Sequence, residues 1–184
     1  MTDETMLWRR LDRPGHEAAR LVFHAPLWQL TGTAVFGEEA RPCRLEYSVV
    51  CDRDWNTLHA LVAGWHGSRR VKCEVRADAR RTWHLNDRAC PAVAGSADLD
   101  LAFSPATNLL PIRRLGLEPG DSATVRAAWL TFPDLTLEPL EQAYRRTGPT
   151  TYRYEAGGHG FAAELEVNAA GFVVRYPGLW EAEA

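Results

Sequence analysis

In the stretch Cys43-Arg44-Leu45-Glu46-Tyr47-Ser48-Val49-Val50-Cys51, the residues Cys, Leu, Tyr, Val and Cys occupy the odd positions, with Arg44, Glu46 and Ser48 between them. Side chains of a strand alternate faces, so this period of two describes one apolar and one polar face. The same period recurs outward along the chain. Val71, Cys73, Val75 and Ala77 alternate with Lys72, Glu74 and Arg76, and Leu99, Leu101 and Phe103 with Asp98, Asp100 and Ala102. It returns at Tyr152 and Tyr154 and at Phe161, Ala163, Leu165 and Val167, and it sets Phe172, Val174 and Tyr176 opposite Val173 and Arg175.

Turn signals separate these segments: Arg13-Pro14-Gly15, Phe36-Gly37, Gly64 to Ser68, Pro119-Gly120-Asp121, Gly157-Gly158-His159-Gly160 and Ala170-Gly171. Gly157 to Gly160 reads as a hairpin loop. Trp55, Leu58, Leu61/Val62 and Trp65 also fit a helical stripe, but a strand is the preferred reading. Many short strands with regular turns predict an all-β meander, barrel or roll. Nothing divides the chain, so residues 1–184 are expected to form one domain, with Met1 to Thr5 and Glu181 to Ala184 frayed. Ser104 to Asp121 stands apart. Its three prolines exclude an uninterrupted helix or a central strand, and Leu109, Leu110, Ile112, Leu115 and Leu117 predict a segment packed on the body as a lid.

Composition narrows the function. The net charge is −3, and the arginine pairs (9/10, 69/70, 80/81, 113/114, 145/146) are scattered among acids, unlike a nucleic-acid track. No apolar run reaches the roughly 18 residues of a membrane span. No secretory h-region is visible, and Cys43, Cys51, Cys73 and Cys90 lack C-x-x-C spacing, so reduced thiols and a cytoplasmic location are expected. The six histidines form no metal-binding pair, and there is no Walker A, G-x-G-x-x-G or G-x-S-x-G string, so neither metal nor cofactor is expected.

Two acidic groups invite chemistry. Asp98 and Asp100 share a strand face, close to Asn108, Arg113 and Arg114; they read either as an acid–base pair or as carboxylates on the solvent side of an edge strand. Asp52-Arg53-Asp54-Trp55-Asn56 could hold a cation or sugar against an indole, or simply make turn hydrogen bonds. Seven tryptophans, Trp83 and Trp129 among them, supply faces for a cavity wall or for an aromatic core.

Four runs then resemble a known family: L-E-Y-S-V-V-C-D-R-D-W-N-T (45–57), D-L-D-L-A-F-S-P-A-T-N-L-L-P-I-R-R-L (98–115), A-W-L-T-F-P (128–133) and F-V-V-R-Y-P-G-L-W (172–180). In this order they are similar to the bacterial family described as "putative glycolipid-binding", formerly a domain of unknown function. Asn168 departs from an aspartate favoured there. The resemblance implies about fifteen antiparallel strands wound into a spiral β-roll or barrel, like bacterial carriers that shelter lipoprotein acyl chains or glycolipids. It brings no catalytic residues. It implies ligand contacts at Glu46, Asp52, Trp55, Asp98, Asp100, Asn108, Arg113, Arg114 and Trp129, to which the aromatic reading adds Trp83.

The expected function is non-enzymatic binding of a lipid or glycolipid-like molecule in the cavity of a curved sheet, with transient inner-leaflet contact and no nucleic acid. One alternative is a small-barrel enzyme with Asp98 or Asp100 as acid/base and Arg113/Arg114 as anion stabilisers. The other is a protein-interaction module without a cavity. Oligomeric state is left open.

Overall fold

The computed structural model describes residues 3–158 and 160–183. The first half is a long antiparallel meander of β1 (Asp3–Arg10), β2 (Gly15–His24), β3 (Leu27–Glu38), β4 (Arg41–Cys51), β5 (Thr57–His66) and β6 (Arg69–Ala77). It ends in the short β7 (Trp83–Leu85) and β8 (Arg88–Ala89). After β9 (Asp98–Leu101) come a 3-10 turn (Ala106–Asn108) and the helix α1 (Leu109–Leu115). A second meander follows: β10 (Ser122–Leu130), β11 (Leu137–Arg146), β12 (Thr151–Ala156), β13 (Phe161–Val167), β14 (Val173–Tyr176) and β15 (Trp180–Ala182).

All fifteen strands belong to one sheet, with β8 at one end, β9 at the other and β1 beside β15 in the middle. The β9–β10 pair is parallel and the rest are antiparallel. Strand count, all-β class and roll agree with the sequence reading. Met1, Thr2 and Ala184 lie outside the described residues, and the described part of the ends expected to fray does not: Asp3, Glu4 and Thr5 pair with Val22, Leu21 and Arg20, and Glu181 and Ala182 form a ladder with Arg9 and Trp8. This ladder joins the two meanders, so the terminal segments are interior strands of the sheet. The Trp8 indole adds a 2.6 Å bond to the Val173 carbonyl.

The sheet curls without closing. Its β9 end is tied to the first meander by single bonds, not a ladder. Thr57 N donates to Ala97 O at 3.0 Å, and Leu99 N to Thr57 Oγ1 at 3.0 Å. The Arg81 guanidinium spans the seam, donating to the carbonyls of Ser96, Thr57 and Ala97 at 2.9, 2.6 and 2.6 Å. Trp83 is fully buried there with its indole N–H on Ser96 O.

Ser104–Asp121 is a plug, not a lid. Phe103 through Ile112 are all buried. The prolines predict interruption, yet Pro111 falls in the first turn of α1, where a missing N–H removes no helical bond. Gly116 then closes the helix in the left-handed conformation (φ 54°), its N–H on Ile112 O. Because this segment fills the roll, both faces of β9 are covered and Asp98 is only 1% exposed. The solvent-side reading is therefore corrected for Asp98, while Asp100 is half-buried. Period two also fails at Val173, which is fully buried: a register shift at Glu166/Val167 sets Val173 opposite Val167. The tryptophan-rich stretch is a strand from Thr57 onward. His159 lies outside the described residues. Cys43, Cys51 and Cys73 are buried free thiols, and burial pushes each pKa up.

Candidate functional site

Polar groups of β9, β11 and the plug meet in a largely apolar interior. Asp98 meets Arg114 of α1 as a fork, Nε to Oδ1 at 2.9 Å and Nη2 to Oδ2 at 2.6 Å. Such bidentate geometry suits guanidinium and carboxylate, and it occupies both Asp98 oxygens. Asp100 lies one strand pleat further and accepts from Gln142 Nε2 at 2.6 Å; the same amide reaches Tyr154 Oη at 3.1 Å. Desolvation pushes the Asp100 carboxyl up to about 6; the Gln142 bond opposes this and the Asp98 charge adds to it. Asn108 Oδ1 accepts from Tyr144 Oη at 3.0 Å, and its amide donates to Pro105 O.

A third group lies on the other side of the plug. Glu17, fully buried on β2, accepts from Tyr47 Oη at 2.6 Å and Ser104 Oγ at 2.5 Å, both on Oε1. Burial raises its pKa to about 7 despite the two hydroxyl donors and the charge of Arg10. Tyr47 reaches Glu17 by lying over Gly32, its β3 partner in register. A Cβ at Gly32 would overlap the Tyr47 ring.

Beside Asp100, Ser104 and Asn108 a cleft of about 220 Å³ opens. Asp100, Ser104, Pro105 and Asn108 border it from the plug side. Trp129, Tyr154, Phe161, Tyr176 and Trp180 form its wall. Trp129 stands beside Asp100 in the parallel register. Tyr154, Phe161 and Tyr176 pack as a triangle with ring centroids 5.9–6.3 Å apart. Strand alternation explains the wall, since each aromatic lies on the inward phase of its strand. The cleft therefore offers ring faces together with a carboxyl, an amide and hydroxyls.

Of the ten residues singled out from sequence, three line this cleft: Asp100, Asn108 and Trp129. Asp98 and Arg114 stand behind it as a paired support. Asp52 makes the turn bonds of the plainer reading, accepting from the backbone N–H of Asp54 and Asn56. Trp55 is buried at φ 69°, stacked on Trp28 at 4.4 Å, with the exposed Arg113 guanidinium 5.1 Å from its ring. Trp83 belongs to the seam. Glu46 is exposed and paired with Arg44 on the outer face. There it borders a depression of about 660 Å³, an open trough of outward rows such as Leu7, Ala18 and Thr33. Thr5, Arg20, Thr31 and Thr33 share its lining with Glu46.

Glu17, Tyr47, Ser104, Gln142, Tyr154, Tyr176 and Trp180 were not singled out. A signal existed for two of them. Glu17 falls in phase with Ala19 and Leu21, and Gln142 with Leu140 and Tyr144, so each is a polar residue on an apolar phase. Among the described residues no His, Cys, Asp and Glu side chains converge as a metal site requires, and no helix is long and apolar enough to cross a membrane.

An open antiparallel β-roll whose interior holds a plug and an aromatic cleft is the class this architecture defines. The chain belongs to the family described as "putative glycolipid-binding", whose model matches residues 5–182. A solved structure of a DUF1089 family protein from Pseudomonas aeruginosa is similar, with 34% identity, 91% of each chain covered and a TM-score of 0.81. No curated protein matches the chain.

Proposed function

We propose that the chain binds an amphipathic molecule non-enzymatically, and that the interior cleft takes its glycosyl headgroup. One observation carries the reading: Asp100 stands in register with Trp129 at the edge of a wall of four further aromatic rings. Sugar rings present C–H faces that stack on aromatics and hydroxyls that need mixed donors and acceptors; the cleft supplies both. Family membership supports a binding role. At about 220 Å³ the cleft is smaller than the roughly 300–1,000 Å³ of sites that engulf a whole ligand. The ligand is therefore held by one end, and an attached acyl chain leaves along the apolar rim at Leu140 and Leu179. Acid–base chemistry through Asp98 would have to displace Arg114, which occupies both of its oxygens. A cytoplasmic chain of this kind would meet such a lipid at the inner leaflet.

Titration with octyl β-D-glucoside below its micelle concentration, followed by tryptophan fluorescence, tests the reading. Saturable quenching that Trp129→Ala weakens at least about ten-fold is expected, since losing a stacking ring forfeits about 1.5 kcal/mol or more. A linear, unsaturable response identical in the variant would refute it.

A further inference from the structure

The charges around the cleft are one-sided. Among the described residues that line it, Asp100 is the one carboxyl group, and no Lys, Arg or His joins it. The groups that face Asp100 do not balance it. Asp98, on the same strand, is the charge felt there, and it repels. Gln142 and Tyr144 of β11, Tyr154 of β12 and Tyr176 of β14 are neutral. The neighbouring cations are committed elsewhere. Arg114 is bonded to both oxygens of Asp98. Arg10, whose guanidinium lies 5.0 Å from the Trp180 ring, is bonded to Asp12 and is absent from the lining.

Asp100 also keeps one oxygen uncommitted. Gln142 donates to Oδ2, while Oδ1 has no partner among the described residues. Nor is Oδ1 sealed from solvent, since it is not one of the buried unpaired atoms and Asp100 is half-buried. Beside this carboxyl stands the wall that includes Trp129, Tyr154, Phe161 and Tyr176. Aromatic rings attract a cation through the negative lobes of their faces, and more strongly where water is excluded. A carboxylate set among rings without a counter-ion is costly for the empty protein. It matches a guest that brings a positive charge.

We infer that the glycosyl headgroup taken by the cleft is an amino sugar, whose protonated amine pairs with Asp100 Oδ1 beside the aromatic wall. This deepens the proposed function and rests on it. An ammonium carries donors only, as a bare carboxylate oxygen requires. A neutral sugar keeps the ring stacking and lacks the ion pair. A phosphate or carboxylate headgroup would face Asp100 with no cation in the lining to receive it, so anionic headgroups are rejected.

The test compares two amphiphiles with the same chain and ring: octyl β-D-glucoside, and octyl β-D-glucosaminide, in which an amine replaces one ring hydroxyl. Affinities are measured by calorimetry below the micelle concentrations, at about pH 7, on the wild type and on Asp100→Asn, whose folding is checked by circular dichroism. The wild type is expected to bind the glucosaminide roughly ten-fold more tightly than the glucoside, and Asp100→Asn to bind the two about equally. A second measurement needs no variant. In the wild type the preference should vanish as pH falls through about 6, where Asp100 takes up a proton and the amine stays charged. Attraction to other acids of the chain, ordinarily titrating near about pH 4, would survive that step. Equal affinity of the wild type for both probes would overturn the amine assignment and leave the cleft reading standing. So would a preference that persists in folded Asp100→Asn or below about pH 5. Failure of the wild type to bind either probe would overturn both.

Discussion

Arg114 and Asp98 form a two-pronged ion pair in the interior, at 2.9 and 2.6 Å, with the Asp98 side chain 1% exposed. The pair fixes α1 to β9 and so holds the plug against the sheet. Removing one partner strands the other charge in an apolar interior, which costs about 3–5 kcal/mol. Arg114→Met is expected to lower urea-unfolding stability by that order. Replacing both residues by apolar ones of similar volume should recover much of the loss. Binding to the cleft should weaken less than stability in the single variant, because neither residue borders the cleft.

The pH dependence of stability has a definite sign. Glu17, ordinarily near 4.5, is raised to about 7, and Asp100, ordinarily 3.8, to about 6. A raised folded-state pKa contributes stability that is fully present below the unfolded value and is lost as pH rises through the folded value. Stability should therefore fall from about pH 4 to about pH 7. Glu17 alone should contribute on the order of 3 kcal/mol of that fall. Thermal unfolding of Glu17→Gln should show a flatter profile and a gain over wild type at about pH 8. A wild-type profile that rises over this window would contradict the assignment.

Gly32 admits the Tyr47 ring. Gly32→Ala must push the ring away from β3 and off Glu17 Oε1. Overpacking of this kind costs about 1–3 kcal/mol. Combining Gly32→Ala with Tyr47→Phe should cost less than the sum of the two singles, since both disturb the same bond; a double-mutant cycle in denaturant measures this.

Arg81 is the seam. Its three carbonyl bonds join β5 and the lead into β9 across a sheet that no ladder closes. Arg81→Met should cost about 2–4 kcal/mol, judged from bonds to a charged donor. Amide exchange should accelerate first at Thr57 and Leu99, whose N–H bonds cross the same seam.

The alternation of Cys43–Cys51 was enough to read the class of the fold, because period two survives wherever one face is buried. It could not reveal the pairing of β1 with β15, since strands far apart in sequence carry no local mark of their partner. The prolines of 104–121 correctly marked a segment unlike the strands, but their positions do not say that Pro111 falls harmlessly in the first turn of a helix. Asp100, Asn108 and Trp129 came from the motif. Tyr154 and Tyr176 carry no mark that separates them from ordinary inward aromatics, because a cavity wall and a packed core share the same strand phase. Glu17 is the exception, a carboxylate in phase with Ala19 and Leu21.

Native mass spectrometry of the protein incubated with octyl β-D-glucoside, alongside lipid extraction of the protein as purified, tests the central claim most directly. The account predicts a one-to-one adduct, or a co-purified glycosylated amphiphile, that is lost in Trp129→Ala. An unshifted mass in the wild type, with no lipid in the extract, would contradict it.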